Sequence, residues 1–223
     1  MSERVALLWS GGKDSALALW ELQRGGEYEV SVLLTTITEE YDRISTHGVR
    51  RSLLEQQAAA LGLSLKQVGI PKWCTNEEYA TKMVIACEEL KQAGLTTVAA
   101  GDIFLEDVRR YREEQLATTG MRAVFPLWGR DPAELTRTFL AAGFEAVTIC
   151  VDGQALGREW AGRIFDERFL ADLPSGVDPC GENSEFHTFV YSGPIFTRSI
   201  GWMRGEIVLR DERFYYCDLL SAS

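Results

Sequence analysis

The chain has 223 residues, 46% hydrophobic and 25% charged, which is enough apolar material for one packed core with an appendage and an ordinary charge content for a globular protein. Its formal net charge of −10 opposes nucleic acid as a partner, and basic pairs such as Arg50-Arg51 and Arg109-Arg110 lie among carboxylates and read as solvated helix faces. Five dispersed cysteines (Cys74, Cys87, Cys150, Cys180, Cys217) form no Cys-x-x-Cys pair and read as reduced thiols; with no long apolar segment or leader pattern, the expectation is a cytoplasmic chain with no membrane partner.

The chain opens on Arg4-Val5-Ala6-Leu7-Leu8-Trp9, a short apolar run that meets Ser-Gly-Gly. Ala16, Leu17, Leu19, Trp20 and Leu22 then recur at helical spacing until Gly25-Gly26, so the order is strand, tight turn, helix, stop. Val30–Ile37 is β-branched and apolar, and residues 49–61 are helical with Gly62 just past the end. Leu63–Ile70 reads as a third strand, and Asn76 as the cap of a helix reaching Ala93, with Glu77 and Glu78 in its first turn. Strands follow at 97–100, 123–125 and 147–151, with helices at 105–119 and 132–142 between them. Five or six βα units in alternation predict an α/β fold, doubly wound around a mainly parallel sheet.

Beyond about residue 155 the texture changes. Residues 157–173 look helical, and 208–220 carry β-branched and aromatic residues around an Asp211-Glu212 turn. The expected division is a nucleotide-binding domain over 1–155 and a smaller C-terminal α+β appendage over 156–223. In open α/β sheets ligands bind beyond the carboxyl ends of the strands, where such an appendage completes a substrate site.

Ser10-Gly11-Gly12-Lys13-Asp14-Ser15 stands at the first strand–helix junction. A helix N-terminus offers unpaired amides and partial positive charge, and adjacent glycines let an anion approach the backbone. The string is neither Gly-x-x-x-x-Gly-Lys-Ser/Thr nor Gly-x-Gly-x-x-Gly. Asp14 reads equally as a Mg²⁺ ligand or as a first-turn carboxylate complementing the helix dipole.

The loop resembles the pyrophosphate loop of the N-type ATP pyrophosphatases, whose fold is adenine nucleotide alpha hydrolase-like. Gly101-Asp102-Ile103, Arg110-Tyr111-Arg112-Glu113-Glu114, Pro126-Leu127-Trp128 and Gly181-Glu182-Asn183-Ser184-Glu185-Phe186-His187-Thr188 are similar to strings of the diphthine–ammonia ligase family. The resemblance implies an ATP-dependent, AMP-forming amide ligase that adenylylates a substrate carboxylate for attack by ammonia. ATP and Mg²⁺ are the cofactors it implies, and ATP, ammonia and a carboxylate, on a small molecule or a modified protein side chain, the partners; a homodimer is left open. On this reading Ser10, Gly11, Gly12, Lys13, Asp14 and Ser15 hold the pyrophosphate, and Gly101 and Asp102 face the nucleotide. Asn183-Ser184 and His187 depart from the usual Gly-Gly and Glu of that signature. The form Glu-Asn-x-Glu-Phe-His is similar to a bacterial subgroup linked to corrinoid salvage, so a corrinoid-salvage intermediate is the alternative substrate, and a non-catalytic adenine-nucleotide-binding protein a further one.

The remaining candidates are ranked by position. Arg110 and Glu114 sit at i and i+4, usually a surface ion pair, with Arg112 pointing elsewhere; all three are carried as substrate-binding candidates because they match the family's Arg-x-Arg-x-Glu. Glu182, Glu185 and His187 form the tight acid–histidine group of the chain. Glu185 and His187, two apart, share a face if on a strand, and such a pair suits holding a substrate amine or acting as general base. Lys13, Asp14, Glu185 and His187 are therefore the catalytic candidates, with Glu182, Asn183 and His47 on the substrate side. His47-Gly48, just before a helix, is the weakest of them. Sulfur transfer, which shares the loop, would need paired catalytic cysteines and a basic face.

Overall fold

The computed structural model describes residues 2–45 and 47–222. The chain begins as expected: β1 (Glu3–Leu8), the Ser10–Gly12 loop, α1 (Lys13–Gly25) closed by left-handed Gly26, then β2 (Tyr28–Thr38). A short antiparallel strand, β3 (Arg43–Ile44), precedes α2 (Arg51–Leu61), which ends on left-handed Gly62. Next come β4 (Ser64–Ile70), α3 (Asn76–Gln92), β5 (Thr97–Ala99), α4 (Glu106–Thr118), β6 (Arg122–Val124) and α5 (Pro132–Ala141). The cap of α3 lies one residue earlier than the sequence suggests. Thr75 accepts from the Glu78 amide while the Glu78 carboxylate accepts from the Thr75 amide, closing a capping box in which Asn76 is only the first helical residue.

β4, β2, β1, β5 and β6 lie side by side and all parallel. The two faces of β1 separate cleanly: Val5 and Leu7 pack with Leu17 and Leu19 of α1 and Leu53 and Leu54 of α2, whereas Ala6 packs with Cys87 and Leu90 of α3 and Leu116 of α4. Helices on both sides follow from this alternation, since successive strand side chains point to opposite faces. The doubly wound α/β reading is thus the observed architecture.

The sixth expected strand of the parallel sheet belongs elsewhere. β7 (Glu145–Asp152) leads a second, wholly antiparallel sheet with β8 (Ile164–Phe165), β9 (Phe186–Ser192), β10 (Trp202–Arg210) and β11 (Phe214–Ser221). β7 is buried over nearly its whole length, and a run buried on both faces looks the same in parallel and antiparallel sheets. The long helix expected over 157–173 is also corrected. The segment divides into a 3₁₀ turn at Arg158–Trp160, β8, and the short α6 (Glu167–Asp172). Trp160 packs edge-on against Phe169, and Phe165, Phe169 and Phe186 pack against one another, so the helical periodicity reflected core aromatics rather than one helix. The hairpin at Asp211-Glu212 forms as expected, both residues left-handed, as a tight turn between right-twisted strands requires.

The sheets meet at the Ser10–Ser15 loop. β9 runs alongside it, the Val190 amide donating to the Gly11 carbonyl at 2.9 Å and the Lys13 amide donating to Thr188 Oγ1 at 3.0 Å.

Candidate active site at the junction of the two sheets

The loop follows β1 because Gly11 turns the chain at φ +76, where a Cβ would also meet Gln57 Oε1 at 2.7 Å. Gln57, fully buried on α2, accepts from Trp9 Nε1 at 3.0 Å and donates to the carbonyls of Gly11 at 3.0 Å and Val190 at 2.6 Å. Gly101 is required by close approach: a Cβ there would lie 2.8 Å from the Asp14 carbonyl oxygen. Sequence reasoning missed Gln57, although it was marked by an amide among Leu53, Leu54, Ala58 and Ala60 on a buried helix face. The role of Thr188 carried no such mark.

Of the donors that a helix start leaves free, the Gly12 amide points to Ser10 Oγ at 3.3 Å and that of Lys13 to Thr188. The remaining first-turn amides are those of Asp14 and Ser15, and both residues line a cavity of about 350 Å³, a size typical of small-molecule sites (~300–1,000 Å³). Ser10 and Ser15 hydroxyls lie 3.3 Å apart at its floor. Ser10, Gly12, Lys13, Asp14, Ser15, Gly101 and Asp102 all line it, whereas Gly11 is turned away against Gln57 and β9. The wall is continued by Thr35 of β2, which is buried and whose Oγ1 has no hydrogen-bond partner among the described residues. Next to it is an apolar shelf of Leu8, Leu34, Tyr79 and Met83.

Lys13 is only 4% exposed. Its ammonium binds both Asp14 oxygens at 3.0 and 2.9 Å and the Cys180 carbonyl. Burial works against the charge, but Asp14 prevails and holds Lys13 protonated above the ordinary lysine value. Glu182 enters from the loop before β9, its Oε1 accepting the Ile103 amide at 2.8 Å. Burial, aided by Asp14, pushes its carboxyl up to about 7. Asp102 is gripped by Arg112, whose Nε and Nη2 donate at 2.8 and 3.1 Å.

The three α4 candidates separate as their spacing suggests, and only one of them reaches the cavity. Arg112 turns to Asp102 and the cavity, whereas Arg110 and Glu114 are exposed and outside it. The i,i+4 ion pair of this helix joins Arg109 and Glu113 at 2.8 Å. Glu185 and His187 do not share a face. β9 starts at Phe186, and Ser184 before it is left-handed at φ +68, so strand alternation does not reach Glu185. Glu185 is buried outside the cavity, its Oε1 accepting from the Asp178 amide at 3.1 Å and from Asn183 Nδ2 at 3.0 Å; it and exposed Asn183 brace the loop. His187 meets His47 instead, the two rings 4.3 Å apart in the cavity wall. Burial lowers both imidazoles, His47 to about 4 and His187 well below its ordinary value, and Lys13 adds to the effect.

The sequence matches the family model of the diphthamide synthase N-terminal domain over residues 3–123 and that of the diphthamide synthase C-terminal domain over residues 131–219. The chain belongs to the diphthamide synthase family. Among curated relatives it is 25% identical to the diphthine–ammonia ligase of Homo sapiens over 228 residues, covering 92% of this chain and 85% of that protein. It is 26% identical to that of Rattus norvegicus with the same coverage, and 25% identical to that of Schizosaccharomyces pombe, of which it spans 37%. As in the family's two-part division, the cavity is lined from both stretches: Ser10–Ser15 and Asp102 from the first, Glu182, Ser184 and His187 from the second.

For Mg²⁺, the donors at hand are hard carboxylate oxygens. Asp14, whose side chain is 33% exposed, offers a carboxylate at the mouth of the loop. No group of three or more metal-ligating side chains is gathered among the described residues. Mg²⁺ is commonly held by one or two carboxylates together with phosphate oxygens, and Asp14 is a donor of that kind. No helix among the described residues is long and apolar enough to cross a membrane.

Proposed function

We propose that this member of the diphthamide synthase family is an ATP-dependent ligase that activates the carboxylate of diphthine as an acyl-adenylate and hands it to ammonia, releasing AMP and pyrophosphate. The observation that carries the reading is the loop itself, where a helix start and paired serine hydroxyls face a cavity closed by the second sheet. Relatives named diphthine–ammonia ligase that align over 92% of the chain favour diphthine over a corrinoid-salvage intermediate. Sulfur transfer is disfavoured by chemistry. Cys180, the cysteine beside Lys13, has its thiol pushed far up by burial, the reverse of a nucleophile.

In this reading the adenine lies on the Leu8–Leu34–Met83–Tyr79 shelf with Thr35 Oγ1 as a polar contact, and the phosphates lie over Ser10, Gly12, Ser15 and the amides of Asp14 and Ser15. Gly11 lets the backbone make that turn. Asp14, together with the phosphates, would hold Mg²⁺, which would neutralise phosphate charge. Lys13 keeps Asp14 oriented. Gly101 lets the neighbouring loop close over the start of α1, and the Asp102–Arg112 pair braces that wall. Glu182 and His187 face the acyl end. The parallel-sheet half thus carries the nucleotide, and the half led by β7, which begins before the expected boundary at 155, supplies most of the substrate side. A carboxylate has no good leaving group; adenylylation supplies one, and ammonia displaces it.

The test is incubation of the full chain with ATP, Mg²⁺, ammonium chloride and a diphthine-bearing protein. Stoichiometric AMP, pyrophosphate and amide are expected. ADP and phosphate as the nucleotide products, or nucleotide binding without turnover, would overturn the proposal.

A further inference from the structure

The only two histidines of the chain stand 140 positions apart, yet the fold brings their rings to 4.3 Å at a tilt of 44° in the wall of the nucleotide cavity. They arrive on different parts of the molecule. His187 is fixed by β9, paired with Cys150 of β7. His47 rides the loop between β3 and α2, which is tied down from the second sheet. Asp218 of β11 accepts from Arg50 Nε and Nη2 at 3.0 and 2.6 Å and pairs with Arg43 at 2.8 Å. Arg43 in turn donates to the Gly48 carbonyl at 2.8 Å, and Gly48 is pressed so close to Tyr216 that a Cβ would lie 2.9 Å from the ring. The loop is thus braced on both sides of His47.

Two uncharged imidazoles in contact present acceptors without positive charge. The His47 backbone amide donates to the Ser45 carbonyl at 2.8 Å, and a neutral imidazole keeps one ring nitrogen as an acceptor in either tautomer. The His187 ring has no hydrogen-bond partner among the described residues, its charge interactions being with His47 and Lys13. The one buried cation nearby, Lys13, is already taken up by Asp14 and the Cys180 carbonyl. A carboxylate or phosphate would look for donors and charge. What this corner offers is neutral acceptors, which suit a small N–H donor.

Resting on the ligase reading above, we propose that His47 and His187 together form the binding site of the nitrogen nucleophile, each accepting an N–H of ammonia. The ammonia lone pair then attacks the acyl carbon, the new C–N bond forms as the bond from carbonyl carbon to the phosphate oxygen breaks, and AMP departs with that electron pair. The surplus proton on nitrogen passes to the accepting imidazole nitrogen and from there to water, leaving amide, AMP and a regenerated pair. His47 and His187 act on the second half-reaction alone; adenylylation belongs to the loop.

The experiment uses the full chain and two readouts. In the first, pyrophosphate exchange into ATP with the diphthine-bearing protein and no ammonia reports adenylylation, while amide formation against ammonium chloride reports capture. His187→Ala and His47→Ala are expected to raise the ammonium KM at least tenfold, several times more than any loss of exchange, with His187→Gln, which keeps an acceptor, recovering part of the loss. In the second, imidazole ¹⁵N resonances of the labelled wild-type protein are followed on addition of ammonium chloride against sodium chloride; with two histidines, both ring pairs are expected to shift. An unchanged ammonium KM in folded variants, equal loss of exchange, or unmoved ring resonances would overturn the proposal. If wild-type protein makes no AMP, the ligase reading fails, while the resonances still decide whether the pair binds a small N–H donor.

Discussion

Replacing Gln57 by leucine isolates the contribution of one buried amide. The two side chains are similar in volume, so packing against Leu53 and Leu54 is kept, while the bonds to Trp9 Nε1, the Gly11 carbonyl and the Val190 carbonyl are lost. The Gly11 carbonyl retains the Val190 amide. Trp9 Nε1 and the Val190 carbonyl each lose a bond where Trp9 is 2% and Val190 0% exposed. At ~1–3 kcal/mol for each of these two orphaned buried groups, Gln57→Leu is expected to lower stability by about 2–6 kcal/mol, with the lower half of that range the more usual for a single substitution and a large fraction of a typical total. Urea unfolding followed by tryptophan fluorescence should show the midpoint falling by about 1–2 M with the slope unchanged. Gln57→Glu should be at least as damaging at neutral pH, because a carboxylate accepts from Trp9 but has nothing to donate to two carbonyls. A loss below about 0.5 kcal/mol for leucine, or glutamate tolerated at neutral pH, would refute the idea that this amide holds the junction.

Other positions yield narrower expectations. Glu182 has a folded value of about 7 against the ordinary 4.5, burial being the main cause, so the native state binds more protons between those values. Its contribution is complete below about 4.5 and is lost as pH rises to about 7; Glu182→Gln should flatten that part of the stability–pH curve, and an unchanged slope would contradict the assignment. Ser184 occupies φ +68, which costs a non-glycine residue ~1–2 kcal/mol. After the entropic penalty of glycine, Ser184→Gly should stabilise by about 0.5 kcal/mol in thermal unfolding, whereas a loss would mean that the hydroxyl holds something in place. Arg112→Ala should raise the ATP KM about 5- to 30-fold by releasing Asp102 (~1–2 kcal/mol). Arg110→Ala should leave it within twofold, and equal effects would refute the distinction drawn between them.

What the sequence disclosed depended on whether the signal was local. The Ser10–Ser15 loop, the left-handed glycines after α1 and α2 and the Asp211-Glu212 hairpin are short-range, and all were legible. The sheet to which β7 belongs was not, because a strand buried on both faces carries no mark of its partners' direction. Spacing put Arg110 and Glu114 on one face and Arg112 on another, but which face meets the cavity was not legible, because the rotation of α4 is set by what Leu116 packs against, information held in α3 and β5. Glu185 was misplaced because strand alternation was extended to it, one residue before β9 begins at Phe186. The meeting of His47 with His187 had no sequence signal at all, since it arises from long-range braces such as Asp218 to Arg50.

Because the Lys13 amide and the Gly11 carbonyl are bonded to Thr188 and Val190, the anion-binding turn is only half encoded by its own peptide. A ligand seated on it is thermodynamically coupled to the integrity of β9. Saturating nucleotide, worth ~2.7 kcal/mol at a hundredfold excess over Kd, should slow amide exchange in the antiparallel sheet as well as in α1. Conversely, a fragment ending at residue 123 would possess the whole Ser-Gly-Gly-Lys-Asp-Ser string and yet grip phosphate poorly. In this chain the motif marks where the candidate site begins, and the strand that completes its turn is encoded some 175 residues later.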